Sequence, residues 1–192
     1  MKHKYKITFN APVILGFVTI CFVVMVVDEM TDGESTRLFF MTYHSSLTSF
    51  VTYVRMLTHV LGHMGWEHFI GNMSYILLLG PMLEEKYGSI CILKVIVVVA
   101  VITGVINYIF FWNIAMCGAS GICFAFILLS SFTSFREGEI PLTAILIATI
   151  YIGQQVYEGI VIQNGISNMA HVIGGVVGGI NGVILNKKSK YV

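Results

Sequence analysis

Six long apolar segments dominate the chain and restrict the folds open to it more than any other feature. Each is about 17 to 25 residues long, the length that a helix needs to cross the hydrocarbon core of a bilayer. They cover residues 11–27, 66–83, 88–112, 119–135, 141–162 and 168–186. Only 11% of the residues are charged, against about 25% in a soluble domain. The sequence therefore predicts an all-α membrane protein in which residues 1–192 form one domain of six transmembrane helices.

The first segment also has one feature of a signal peptide, because three lysines precede it. It lacks a small-residue cleavage site, and Asp28 and Glu29 follow it directly. We therefore predict that it is a retained transmembrane helix.

The positive charges predict the orientation of the six spans, since Lys and Arg concentrate on the cytoplasmic side of a membrane. With the N-terminus in the cytoplasm, only Arg37 and Arg55 lie outside. The remaining basic residues lie inside or at the inner boundary: Lys2, Lys4, Lys6, Lys86, Lys94, Arg136, Lys187, Lys188 and Lys190. Both termini are therefore predicted to be cytoplasmic.

One long external connection, residues 28–65, joins the first two spans. It opens with acidic residues and continues with the apolar, aromatic stretch 38–57, which is too interrupted to span a membrane. Such a stretch predicts short helices that lie in the membrane interface. Long structured loops are often functional.

The net charge and the cysteine spacing argue against a nucleic-acid-binding protein and against a CxxC site. The net charge is +1 and no basic stripe with interleaved aromatics is present, so a nucleic-acid partner is not expected. The four cysteines form no CxxC pair, and each lies in or beside an apolar segment, which predicts free thiols.

Four polar residues are predicted to lie at one depth, just below the outer membrane surface. Ser120 and His171 each lie sixteen residues from the basic residue at the inner end of their span, or roughly 24 Å along a helix. The corresponding distances for Asn72 and His68 on the second span are roughly 21 and 27 Å. Polar residues inside a membrane are costly, so this layer is a functional hypothesis.

The residue types in this layer suit acyl transfer. A serine needs a base to become a nucleophile, and His171 is the imidazole of the sixth span. His68 and Asn72 are four residues apart on one helix face and can donate hydrogen bonds to an oxyanion, as can the Ser120 N–H. Taken singly, Ser120 could be a helix N-cap and His171 a histidine satisfied between helices.

Glycines surround both of these residues. Gly118 and Gly121 allow a substrate backbone and a neighbouring helix to approach Ser120 closely. Gly174 and Gly178 share one face of the sixth span, and such small-residue faces let helices pack closely. This packing would bring His171 against the fourth span.

Three motifs together resemble the rhomboid family of intramembrane serine proteases, in its compact six-helix bacterial form. The stretch 118-GASG-121 resembles the family's GxSG, 170-AHVIGGVVG-178 its AHxxGxxxG, and 68-HFIGN-72 its HxxxN. The resemblance covers about residues 50 to 186. It implies a rhomboid-like bundle with Ser120 as nucleophile, His171 as general base, and His68 and Asn72 as oxyanion-stabilising residues.

The resemblance also implies partners and a substrate-binding surface. Substrates would be transmembrane proteins cleaved near the outer face of a bacterial plasma membrane, with no metal or cofactor. We assign substrate binding to Gly118, Phe124, Gly174 and Gly178.

Two positions depart from the family pattern. Val54-Arg55 replaces a frequent Trp-Arg pair, and Phe124 replaces a tyrosine that packs on the catalytic histidine. The sixth span contains no Asp or Glu, so a Ser–His dyad is expected. Gln154, Gln155 and Glu158 of the fifth span are expected to meet interfacial water.

Three alternatives are weaker. His59, His63 and His68 could form a metal site, but HExxH is absent and Glu67 points to a different face. A non-catalytic rhomboid-like binding protein would lack the serine or the histidine, and both are present. A transporter would be expected to show an inverted repeat or paired broken helices, and neither is found. The oligomeric state is left open by the sequence.

Overall fold

A computed structural model describes residues 7–133, 139–157 and 168–188. Over these residues the chain forms eight α-helices, joined by turns and loops. They are α1 (Pro12–Met30), α2 (Glu34–Phe39), α3 (Phe50–Thr58), α4 (Trp66–Tyr87), α5 (Ser89–Phe110), α6 (Ser120–Ser131), α7 (Leu142–Tyr157) and α8 (Asn168–Lys188).

Each predicted span coincides with a helix, which confirms the all-α class. The fourth span is shorter than predicted, because α6 ends at Ser131. Helix α7 is described as far as Tyr157, so the end of the fifth predicted span lies outside the described residues, as does Arg136. Helices α1 and α5 are long and apolar enough to cross a membrane, whereas α6 and the apolar parts of α7 and α8 are shorter. The count of six transmembrane helices stays a prediction.

Helix α5 buries two polar side chains and exposes several apolar ones. Thr103 and Asn107 are buried, and Asn107 Nδ2 donates to the Ile114 carbonyl at 3.1 Å. Ile90, Leu93 and Val97 are exposed. In water this arrangement would be unfavourable, but lipid solvates an apolar surface and leaves polar groups to pair inside the protein.

Residues 28–65 contain two short helices, α2 and α3. Only α3 lies largely within the stretch 38–57 for which short helices are predicted, and its position in the membrane interface stays a prediction. Phe50, Tyr53 and Leu57 form the exposed face of α3, while Arg55 is buried. The Arg55 guanidinium lies 4.1 Å from the centroid of the Tyr43 ring and donates to Ser45 Oγ at 2.9 Å. Arg55 therefore holds the loop before α3 in place, although Val54 stands where the family often has a tryptophan.

Helix α6 is the centre of the bundle, and most of its side chains are buried. Helix α8 lies directly on its backbone: a Cβ at Gly174 would collide with the Gly121 carbonyl, and one at Gly178 with the Ala125 carbonyl. Two apolar helices can approach this closely only where side chains are missing. The predicted small-residue face of the sixth span is thus the α6–α8 contact.

The Glu84 carboxylate of α4 accepts hydrogen bonds from the first turn of α1. The N–H groups of Val13 and Ile14 each donate to Glu84 at 3.0 Å, and Ser89 Oγ donates to it at 2.6 Å. The first N–H groups of a helix have no acceptor within it, so Glu84 satisfies donors that would otherwise be buried unpaired. None of the four cysteines, all of which are described, forms a disulfide.

Candidate active site

Ser120 is the first residue of α6, at the end of a loop that is held in place on both sides. Gly118 has φ +120°, a backbone conformation that favours glycine. Its N–H donates to the His59 carbonyl at 2.9 Å, and Thr42 and Met116 exchange two backbone hydrogen bonds of 2.9 Å. The first N–H groups of α6, including that of Ser120, have no acceptor within the helix. The hydroxyl therefore lies beside backbone donors in a fixed position.

His171 of α8 lies against Ser120, with His171 Nε2 2.7 Å from Ser120 Oγ. This is hydrogen-bond distance for proton transfer from a serine to a base. The two residues are 51 positions apart in the chain. The close α6–α8 approach at Gly174 and Gly178 brings them together.

Two further side chains hold the His171 ring. Phe124, one turn after Ser120, stacks on it with ring centroids 4.6 Å apart and an interplanar angle of 10°. Gln155 Oε1 lies 2.5 Å from His171 Nδ1. The packing expected of Phe124 is therefore present, and a hydrogen bond that the sequence did not suggest accompanies it.

The expectation that Gln155 meets interfacial water is wrong, because its side chain is only 5% exposed and faces the imidazole. Gln154 is exposed, and Glu158 lies outside the described residues. One feature of the sequence could have indicated that Gln155 is buried and paired, because a polar amide within an apolar span is costly unless it finds a partner. The sequence could not show which face of α7 turns towards α8.

His68 and Asn72 both present donors to the loop at Gly118. His68 Nδ1 accepts the Met64 N–H at 3.4 Å, so in the neutral ring Nε2 carries the proton. An ideal Cβ on Gly118 would stand 2.7 Å from His68 Nε2 and 3.5 Å from Asn72 Nδ2. Asn72 Nδ2 is buried and has no hydrogen-bond partner among the described residues. A buried, unpaired donor of this kind suits an anion that forms only during a reaction.

One cavity of about 720 Å³ joins these groups. Gly118 lies in its wall, and its missing side chain leaves room for a backbone beside Ser120. The polar residues of the wall are His59, His68, Asn72, Thr103, Ser120 and His171.

Phe124 lines a smaller cavity of about 240 Å³, and Ser120, Asn72 and His68 also line it. Gly174 and Gly178 are buried against the α6 backbone and act as packing residues. Direct contact of either glycine with a substrate stays a prediction.

His59 and His63 make structural contacts. His59 Nδ1 donates to the Met56 carbonyl at 3.1 Å, and His59 Nε2 lies 3.2 Å from Thr103 Oγ1. His63 Nδ1 donates to the Leu61 carbonyl at 3.2 Å. Burial lowers the pKa of His59 and of His63 to about 4, so both rings are neutral near pH 7. Over the described residues no three His, Cys, Asp or Glu side chains come together to hold a metal ion.

Cys117 also lines the larger cavity and could compete as a nucleophile. Burial raises the pKa of its thiol to about 12, so the reactive thiolate is scarce at neutral pH. Ser120, which has a base at hydrogen-bond distance, is the better candidate.

Comparison with known proteins gives independent evidence on the family of the chain. The family model described as "Rhomboid domain" matches residues 51–188. The Rhomboid protease GlpG of Haemophilus influenzae is 35% identical to the chain over 72 residues. That alignment covers 37% of this chain and 36% of the relative, so the chain matches about a third of the relative's length.

Proposed function

The chain belongs to the rhomboid family, and from this premise we propose that it is an intramembrane serine endopeptidase. The observation that carries the proposal is the 2.7 Å contact between His171 Nε2 and Ser120 Oγ. A serine and a histidine at this distance, beside unpaired donors and a cavity, form the arrangement that acyl transfer needs.

In the proposed reaction, Ser120 Oγ attacks the carbonyl carbon of a peptide bond while His171 Nε2 takes the hydroxyl proton. His171 then gives this proton to the leaving amine, which breaks the C–N bond and leaves an acyl-enzyme. Water enters from the outer side, loses a proton to His171 and hydrolyses the ester. Ser120 recovers its proton at the end of the cycle.

The negative charge on the carbonyl oxygen is stabilised in this proposal by three donors. They are the Ser120 N–H at the start of α6, His68 Nε2–H and Asn72 Nδ2–H. The positive end of the α6 dipole adds to their effect. Fixed donors of this kind need no rearrangement when the charge appears.

The chain is an integral membrane protein, and we infer that its substrates are transmembrane proteins. A helix in lipid has every backbone group paired, so the scissile bond must first be released from its helix. Cleavage near the outer face of a bacterial plasma membrane, with both termini cytoplasmic, agrees with the depth estimate and with the distribution of Lys and Arg.

Cleavage of a model transmembrane substrate in liposomes tests the proposal. Wild type, Ser120→Ala and His171→Ala are compared, each with and without a metal chelator. The expected result is cleavage by wild type alone, unchanged by the chelator. Cleavage that persists in Ser120→Ala and stops with the chelator would instead support a histidine metal site. Binding without cleavage across several substrates would favour a non-catalytic family member.

A further inference from the structure

The amide of Gln155 is a buried polar group on α7 that the proposed reaction does not yet use. Its Oε1 lies 2.5 Å from His171 Nδ1, on the side of the ring opposite the atom that faces Ser120. Its neighbours Gly153 and Gln154 are exposed, whereas Gln155 is buried. The side chain thus points into the bundle at the imidazole.

We propose that Gln155 is a positioning residue that holds His171 in the tautomer able to act as a base, an inference that rests on the protease function proposed above. The site would then comprise Ser120, His171 and Gln155 rather than two residues. Gln155 would not touch the substrate.

The hydrogen bond decides which ring nitrogen carries the proton. An amide oxygen can only accept, so Nδ1 must be protonated, and Nε2 then presents its lone pair to the Ser120 hydroxyl. The reverse amide orientation would donate to Nδ1 and leave a proton on Nε2, facing the serine. That tautomer cannot take the hydroxyl proton. The amide orientation and the function of His171 as a base are therefore linked.

This acceptor is not supplied by Phe124 or by a carboxylate of α8. Phe124 stacks on the imidazole but offers no hydrogen bond to it, and residues 168–188 of α8 include no Asp or Glu. Among the described residues, the wall of the 720 Å³ cavity contains no carboxylate. The Gln155 amide is itself neutral and adds no negative charge beside the ring.

Ring ¹⁵N NMR measures the tautomer directly and requires no catalytic activity. The His171 signals are assigned by comparison with His171→Gln. Wild type is expected to show the Nδ1–H tautomer, and Gln155→Met is expected to lose this preference. An Nε2–H tautomer in wild type would overturn the proposal, even if Gln155→Met failed to fold.

Kinetics on the model substrate give a second readout. Gln155→Met keeps the length of the side chain but removes the strong acceptor, and kcat is expected to fall roughly ten- to a hundredfold with KM within about twofold. Gln155→Glu restores an acceptor and is expected to recover most of that loss. The matched control, Gln154→Met, carries the same substitution on the exposed side and should cleave like wild type.

An unchanged kcat in Gln155→Met would overturn the assignment, as would equal losses in Gln155→Met and Gln155→Glu. Failure of the protease proposal is a separate result, namely no Ser120-dependent cleavage by wild type. In that case the tautomer measurement still tests the hydrogen bond between Gln155 and His171.

Discussion

The Phe124 ring lies parallel to the His171 imidazole, with centroids 4.6 Å apart and planes inclined by 10°. The Tyr151 ring of α7 also contacts Phe124, edge-on, with ring centroids 5.6 Å apart. Many rhomboids have a tyrosine in place of Phe124. In this chain Phe124 stacks on His171, and Gln155 makes the hydrogen bond to it.

Replacing Phe124 should therefore affect catalysis through the orientation of His171. Phe124→Leu removes the stacked ring, and kcat is expected to fall about two- to tenfold, as the energy of one aromatic pair allows. Phe124→Tyr keeps the ring and should retain activity near wild type. Phe110→Leu, at an exposed phenylalanine of α5, is the control for loss of a ring. Equal activity of Phe124→Leu and wild type would contradict the role of stacking.

The α6–α8 contact predicts that alanine substitutions of the adjacent residues Gly178 and Gly179 differ in their effect on stability. A Cβ at Gly178 would collide with the Ala125 carbonyl, whereas one at Gly179 would meet only Phe132 Cε2 at 3.9 Å. Gly178→Ala is expected to destabilise the fold by about 1–3 kcal/mol, because two backbones must separate. Gly179→Ala should be neutral or slightly stabilising. Thermal unfolding in detergent compares the two, and a similar Tm for both would refute the proposed backbone contact.

The unpaired Nδ2 of Asn72 predicts a kinetic effect with little change in stability. Asn72→Ala removes an oxyanion donor, and kcat should fall about 10²- to 10³-fold. Its Tm should change little, since Nδ2 makes no hydrogen bond among the described residues and Oδ1 accepts a weak one from Cys123 Sγ at 3.7 Å. Asn181→Ala, on α8 and about 15 Å from His171 along the helix axis, is the matched control and should leave kcat unchanged. A loss of Tm in parallel with kcat would indicate a structural role for Asn72 instead.

The buried histidines of the external loop predict that acid destabilises the protein. Burial lowers the pKa of His59 to about 4 from 6.5, so between these values the unfolded chain binds a proton that the folded chain excludes. Stability is therefore complete above about pH 6.5 and falls as the pH decreases towards 4, with a slope of about 1.4 kcal/mol per pH unit for each such histidine. His63 shifts in the same direction.

Apparent Tm measured from pH 4 to pH 8 tests this prediction. His59→Gln can keep a hydrogen bond to Met56 or Thr103 but cannot titrate, so its Tm should decline less steeply in acid than that of wild type. Identical pH profiles for the two proteins would show that His59 is not the source of the effect.

Because Glu84 accepts hydrogen bonds from the first turn of α1, substitutions of Glu84 and of its neighbour Glu85 are expected to differ widely in their effect on stability. Glu84→Ala leaves the N–H groups of Val13 and Ile14 without their acceptor, and a loss of at least about 2 kcal/mol is expected. Glu85→Ala, at an exposed position, should change stability by less than about 0.5 kcal/mol. Denaturation in mixed micelles compares the two variants. Equal stability would mean that Glu84 does not fasten α1.

The sequence alone predicted the helices and most of the proposed catalytic residues, because these depend on local patterns. Continuous apolar runs specify helices wherever they occur in the fold, and the predicted spans agree with α1 and α4–α8 to within a few residues at the described ends. The spacing of His68 and Asn72 puts both on one face of a single helix. Gly118 and Ser120 are close because only Ala119 separates them in the chain.

The tertiary structure decided the contacts between helices. Successive residues of an α-helix are rotated by about 100°, so only the packed bundle shows that Gln155, and not Gln154, faces His171. The same holds for the meeting of Glu84 with α1 and of Gly178 with Ala125. A hydrophobic pattern specifies which surfaces avoid water, but in a membrane nearly every face of a helix is apolar. The pairing of faces is then set by close packing and by the few polar groups that must find partners.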